Sequence, residues 1–166
     1  MPATSAVNPL FVRMRTRRYT AASPAQIVEA ARDLIAQKYK RGASFANPGD
    51  AGAYFQAKLA GLDREVFAAA FLDTRHQLIE YRELFFGTID GAEVHPREVV
   101  REALRCNAAA VIVAHNHPSG SAVASAADRA VTARLRQALG LVDIRLLDHF
   151  VIAGLQSSSL AASGAL

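Results

Sequence analysis

The sequence predicts an α/β protein, a single-domain α/β/α sandwich built on a central mixed sheet. Three observations carry that reading. Two continuous apolar runs, VFAAAFLD at 66–73 and AAAVIVA at 108–114, have the length and composition of strands buried on both faces. Segments with apolar residues at helical spacing alternate with them, an order that places helices against a sheet. A chain of 166 residues, 51% hydrophobic and 20% charged, suits one compact domain with a substantial core.

Residues 1–22 show no sustained periodicity and are expected to form a flexible arm, with the folded domain running over 23–166. Ser23-Pro24-Ala25-Gln26 combines a Ser cap, a Pro at the first helical position and a Gln placed to close a capping box. Ile27, Ala31, Leu34 and Ile35 follow at helical spacing and predict a helix to about Tyr39. GASFANPGD, residues 42–50, is a turn-rich connector, after which Ala51, Tyr54, Phe55, Leu59 and Leu62 mark one face of a second helix. Residues 66–73 and QLIEYRELFFGT at 77–88 form a hairpin across Thr74–His76.

His95-Pro96-Arg97-Glu98 then opens a helix with Val99, Val100, Ala103 and Leu104 facing inward. The apolar strand at 108–114 runs straight into HNHPSG. A further helix from about Ser125 to Leu139 buries Ala127, Val131, Leu135, Ala138 and Leu139 and ends at Gly140. LVDIRLLDHFVIA, residues 141–153, supplies the last strand or strands.

Charge and cysteine content narrow the chemistry. The net charge of +4 belongs to the N-terminal quarter: residues 1–42 hold 8 Lys or Arg against 2 acids, the remainder 11 against 13. The run Arg13, Arg15, Arg17 and Arg18 could attract nucleic acid through phosphate charge alone, or could be a solvated arm. No stretch approaches the roughly 18 consecutive apolar residues of a membrane span, and the first residues lack a signal peptide's apolar core, so a cytoplasmic protein is expected. Cys106 is the single cysteine, so any metal must be held by histidine and carboxylate.

The sharp feature is H-x-H-x7-S-x2-D, filled by His115, His117, Ser125 and Asp128. Residues i and i+2 of a strand project to the same side, so two histidines at a strand end can aim at one point. Pro118, Ser119 and Gly120 turn the chain away, and Asp128, in the first turn of the next helix, can bring a third ligand back to that point. Three protein ligands with a fourth position left for water is the pattern of a catalytic zinc site, where the bound water's pKa falls to about 7. His-x-His alone is an ordinary strand end, and Ser125 with Asp128 alone is an ordinary capping box. Their occurrence together, between an apolar strand and a helix, points to metal. A proton acceptor is also needed, and Glu65, Glu80, Glu83, Glu93, Glu98 and Glu102 are the upstream candidates. His76 and His95 fall in turns, and His149 beside Asp148 reads as a hydrogen-bonded structural pair.

At these residues the chain resembles the RadC family, a bacterial branch of the JAMM, or MPN-domain, metalloproteins. LDREVFAAAFLDTRHQLI, LFFGTIDGAEVHPREVVREAL, NAAAVIVAHNHPSG, DIRLLDHFVIAG and SLAASGAL occur in the family's order from about residue 48 onward. The resemblance implies a JAMM/MPN fold, similar to that of cytidine deaminases. It implies zinc (Zn2+) on His115, His117 and Asp128, support of the oxyanion or bound water by Ser125, and acid/base catalysis by Glu65. It also implies metallopeptidase or isopeptidase activity on a peptide or protein substrate. The family's traditional association with DNA repair keeps an alternative open, a nucleic-acid-binding protein without peptidase activity. Residues 1–47 contain nothing like the helix-hairpin-helix region of longer RadC proteins, so a short form is expected. The loop SAVA at 121–124 lacks a proline common in the family there.

Overall fold

The structure, a computed structural model, describes residues 10–13, 18–38, 42, 44–87 and 93–166. Arg15 and Arg17 of the basic run, and the predicted end of the first helix at Tyr39, lie outside them. The chain divides into two units, Met1–Gln37 and Lys38–Leu166. In the first, β1 (Phe11–Arg13) pairs antiparallel with β2 (Tyr19–Ala21), inside the segment that shows no periodicity in sequence. Strands of three residues are too short to display an alternation. Helix α1 (Pro24–Lys38) begins at the expected box: the Ser23 hydroxyl accepts from the Gln26 N–H at 3.3 Å, and the Gln26 side chain accepts from the Ser23 N–H at 2.9 Å.

The second unit opens with α2 (Pro48–Leu59), capped by Asn47, whose side-chain oxygen accepts from the Asp50 N–H at 3.0 Å. Ala51, Tyr54, Phe55 and Leu59 are buried on its expected face. Leu62 is not on the helix, because Ala60 is already extended and Gly61 turns the chain at a φ of +74°. Then follow β3 (Val66–Leu72), β4 (Leu78–Phe86), α3 (Pro96–Arg105), β5 (Ala110–Asn116), α4 (Ala126–Gly140), β6 (Arg145–Ala153) and β7 (Gln156–Ser159).

The strands make one mixed sheet in the order β4-β3-β5-β6-β7. Only β5 and β6 are parallel, as the α4 crossover between them requires, and the other neighbours are antiparallel. Every residue of β3 and β5 is buried, so their uninterrupted apolar sequences meet cover on both faces. On one face Phe67, Phe71, Val111 and Val113 pack with Val99 and Ala103 of α3 and Leu135 and Leu139 of α4. On the other lies α2, where the Phe55 ring stacks on Phe150 at 6.2 Å. Gly52 permits that approach, since a Cβ there would stand 3.3 Å from the Phe150 ring.

Two helix faces differ from expectation. Leu104 is 55% exposed, because at 3.6 residues per turn it lies roughly 140° around α3 from buried Val99. Glu102 is buried in its stead, with Arg82 and Arg105 as partners. On α4, Ala127 is exposed and Thr132 is buried. A third departure lies in β6. Val111 pairs with Leu146 but Ile112 pairs with Asp148, so Leu147 is an extra residue in the ladder. Leu146 faces α3 and α4, and strict alternation would send position 148 to that side. The bulge sends His149 there instead, next to Thr132 and His115. Among the described residues, no helix is long and apolar enough to cross a membrane.

Candidate metal centre

His115 sits in the last turn of the β5 pleat and His117 just beyond its end, so both side chains reach the α4 side of the sheet. The chain then turns at Gly120, which holds a φ of +85° and donates its N–H to the His117 carbonyl at 3.1 Å. Helix α4 returns toward the strand end with its first turn fixed by a complete capping box. The Ser125 hydroxyl accepts from the Asp128 N–H at 3.1 Å, while the Asp128 carboxylate accepts from the Ser125 N–H at 2.6 Å and from its hydroxyl at 2.7 Å. The ordinary explanation of Ser125 and Asp128 as a cap is therefore true, and it is also what orients the carboxylate.

The outcome is a convergence of three donors. His115 Nε2 lies 2.9 Å from His117 Nε2 and 3.1 Å from Asp128 Oδ1, and His117 Nε2 lies 3.7 Å from Asp128 Oδ2. Nitrogen and oxygen ligands at about 2.0–2.1 Å from a tetrahedral zinc stand roughly 3.3 Å from one another, so the observed spacings suit such a cation. Tautomer chemistry agrees. His117 Nδ1 is 2.7 Å from the Ser121 carbonyl, which can only accept, so the ring proton sits on Nδ1 and Nε2 presents a lone pair. Burial opposes ionisation of Asp128, but the hydrogen bond and charge of His115 and the hydrogen bonds from Ser125 outweigh it, holding the carboxyl well below the usual carboxylate range. The three residues could hold a metal ion.

A cleft of about 560 Å³ opens over this point, and Ser125 and Glu65 line it with the three donors. Glu65 is half-buried immediately before β3, and its carbonyl accepts from the Gly87 N–H at 2.9 Å. Glu93 also lines the cleft, as do His95 and Arg134, none of which the spacing singles out. The remaining candidate glutamates are engaged elsewhere. Glu80 and Glu102 bind Arg82 and Arg105, Glu98 pairs with Arg97 and Arg101, and Glu83 accepts from the Tyr81 hydroxyl. His149 is fully buried. Asp148 accepts from its backbone N–H at 2.7 Å, while its ring is bonded to His115 and Thr132. A hollow of about 580 Å³ between α4 and the last two residues gathers no histidine or carboxylate side chain.

The chain is similar to known proteins. The family described as RadC-like JAB domain matches residues 45–165. A UPF0758 protein of Xanthomonas campestris pv. campestris is 58% identical over 137 residues, covering 82% of this chain and 61% of the relative. A UPF0758 protein of Vibrio cholerae serotype O1 is 53% identical over 139 residues, covering 84% of this chain and 87% of the relative. One of Xylella fastidiosa is 57% identical over 130 residues, covering 78% of this chain and 58% of the relative. The chain thus spans about three-fifths of the length of the Xanthomonas and Xylella relatives.

Proposed function

The chain belongs to the RadC family of JAB domains, and from that premise we propose that it is a zinc-dependent hydrolase of peptide or isopeptide bonds. The observation that carries this reading is the convergence of His115, His117 and Asp128 on one point, with Glu65 in the same cleft. Two imidazoles and one carboxylate suit a borderline cation and leave room for a further ligand. Zinc held there would supply Lewis acidity, polarising a carbonyl and lowering the pKa of a water from about 15.7 to about 7.

The chain's own groups do the rest. Glu65 stands at the cleft wall as the proton carrier: it takes the proton lost by the attacking water and returns it to the departing amine, so the step balances without a further reagent. Ser125 acts through Asp128, whose carboxylate its N–H and hydroxyl orient, and it lines the same cleft, where its hydroxyl would support an oxyanion only by turning from that carboxylate. Phe67 lines the cleft floor and helps to exclude water. A peptide or protein substrate and a cytoplasmic location go with this reading.

Metal analysis of the purified chain, followed by a cleavage screen over peptides and nucleic acids with and without chelator, tests it. About one zinc per chain and chelator-sensitive peptide hydrolysis are expected. Cleavage of nucleic acid alone, or full zinc content in a His115→Ala, His117→Ala double variant, would overturn it.

A further inference from the structure

We propose that Arg134 determines the specificity of the cleft: its guanidinium receives a single carboxylate of the substrate, roughly two to three residues along the peptide from the bond that is cut. The proposal rests on the reading of the cleft as a peptidase site.

Helix α4 presents a stripe to the cleft. Ala127, Val131 and Arg134 line it, at the i, i+4 and i+7 spacing of one helical face, and Asp128 joins them at the start of the helix. At 1.5 Å of rise per residue, Arg134 stands about 9 Å along the axis from Asp128. An extended peptide advances about 3.3 Å per residue, so a substrate held at the metal end would reach the level of Arg134 roughly two to three residues later. Val131, one turn before Arg134, is apolar and does not compete for an ion.

Among the described residues Arg134 is the one Lys or Arg of the cleft lining, and it has neither an ion pair nor a hydrogen-bond partner. Other arginines nearby are engaged: Arg129 donates to the Ala124 carbonyl at 2.7 Å, Arg101 is held by Glu98, and Arg105 by Glu102. An exposed arginine is ordinarily a solvated surface group; the carboxylates that share this cleft set Arg134 apart. Glu65 and Glu93 repel a substrate anion, so Arg134 is the point of the wall where one is favoured. Register follows from that difference, since a carboxylate displaced toward the glutamates is opposed and one at Arg134 is paired. A nucleic-acid strand would bring a phosphate at every step to the glutamates as well, and one arginine does not offset two carboxylates. The planar guanidinium donates two parallel hydrogen bonds to a carboxylate, which either an acidic side chain or a peptide C-terminus supplies.

Two series of peptides that the whole chain cleaves distinguish the sources. In one, amidated peptides carry a single Glu or Gln walked along the sequence; in the other, uncharged peptides end in a free carboxylate or an amide at successive distances from the cut bond. At one position the carboxylate should raise kcat/KM by about 10-fold over its amide, mostly through KM. Arg134→Gln should abolish that ratio, and Arg134→Glu should invert it in favour of Lys at the same position. Binding is read separately, by NMR of the Arg134 guanidinium in the chain without added metal, so that no metal takes the carboxylate. Acetyl-trialanine with a free terminus should shift that resonance, and its amide should not. Equal cleavage of acid and amide peptides by wild type, or a ratio that survives in folded Arg134→Gln, would overturn the proposal and leave the hydrolase reading standing. Tighter binding of a single-stranded oligonucleotide than of the free acid, lost in Arg134→Gln, would assign the arginine to phosphate and also overturn it. Binding of the free acid at Arg134 by a chain that cleaves no peptide would support the carboxylate subsite and overturn the peptidase reading.

Discussion

Asn116 clamps Glu65 from across the sheet: its side chain accepts from the Val66 N–H at 2.8 Å and donates to the Arg64 carbonyl at 2.9 Å, pinning the peptides on either side of the glutamate. The clamp comes from the residue between His115 and His117, so the end of β5 positions both the proposed metal donors and the proposed proton carrier. Asn116→Ala would leave the buried Val66 N–H and the Arg64 carbonyl without that partner, at a cost of about 1–3 kcal/mol in stability. Loosened Glu65 should lower turnover by about 10²-fold with zinc content unchanged. Thermal unfolding, metal analysis and kcat on an established substrate check this. Full turnover in the folded variant would mean that the Gly87 contact and β3 suffice to hold Glu65.

Glu65→Gln should bind zinc at wild-type stoichiometry and lose about 10²- to 10⁴-fold in rate, because an amide keeps the size of the side chain and cannot take a proton. Glu93→Gln is the proper comparison, since Glu93 lines the same cleft and ends in a carboxylate of the same chemistry. It should retain most of the rate. The opposite ranking would move the acid/base role to Glu93.

The convergence of His115, His117 and Asp128 was legible because each of its relationships is local: i to i+2 on a strand, and a cap to its third helical residue. The hairpin of β3 and β4, the buried β5 and the α4 crossover followed from apolar runs and helical spacing in the same way. What escaped depends on distant chain. His149 read as the neighbour of Asp148, since strict alternation hides the Leu147 bulge that turns its ring toward His115. Asn116 is an unremarked residue between two histidines until β3 is laid beside it, Glu93 is one glutamate among six candidates until the cleft sets it with Glu65, and His95 and Arg134 carry no sequence signal of the cleft they line. Leu104 and Glu102 exchanged expected places because three arginines were available to make a buried carboxylate tolerable.

That charge cluster gives the fold an acid limit. The hydrogen bond from Arg105 holds the Glu102 carboxyl below its ordinary range despite the opposing burial, with Arg82 adding to it, and hydrogen bonds from Arg82 and Arg105 do the same for Glu80. Folded-state values below the unfolded value of about 4.3 mean that the stabilisation is complete above that pH and is lost as pH falls through the depressed values. Denaturant unfolding should show stability falling below about pH 4. Glu102→Gln, which has no charge to lose, should be less stable than wild type at neutral pH, with the gap closing as acid is added. A gap that stayed constant with pH would show that the cluster contributes by packing and not by charge.

The ligand set itself should be visible as stability, independently of any substrate. A cation that binds the folded chain and not the unfolded one stabilises by about 2.7 kcal/mol when its free concentration is about 100 times Kd, enough to raise Tm by several degrees. Wild type should show that rise on addition of zinc and lose it to a chelator. His117→Ala should abolish the rise with little change in metal-free stability, because its ring is near the surface and bonds only at the loop carbonyl of Ser121 among the described protein groups outside the site. Asp128→Asn separates two duties of one residue. Its side-chain oxygen can still accept from the Ser125 N–H, so the helix cap survives, whereas an amide is a weak ligand for a borderline cation. Metal-free Tm near wild type with a much reduced zinc response is therefore expected. A full zinc response in Asp128→Asn would remove the carboxylate from the ligand set and leave it the capping duty alone.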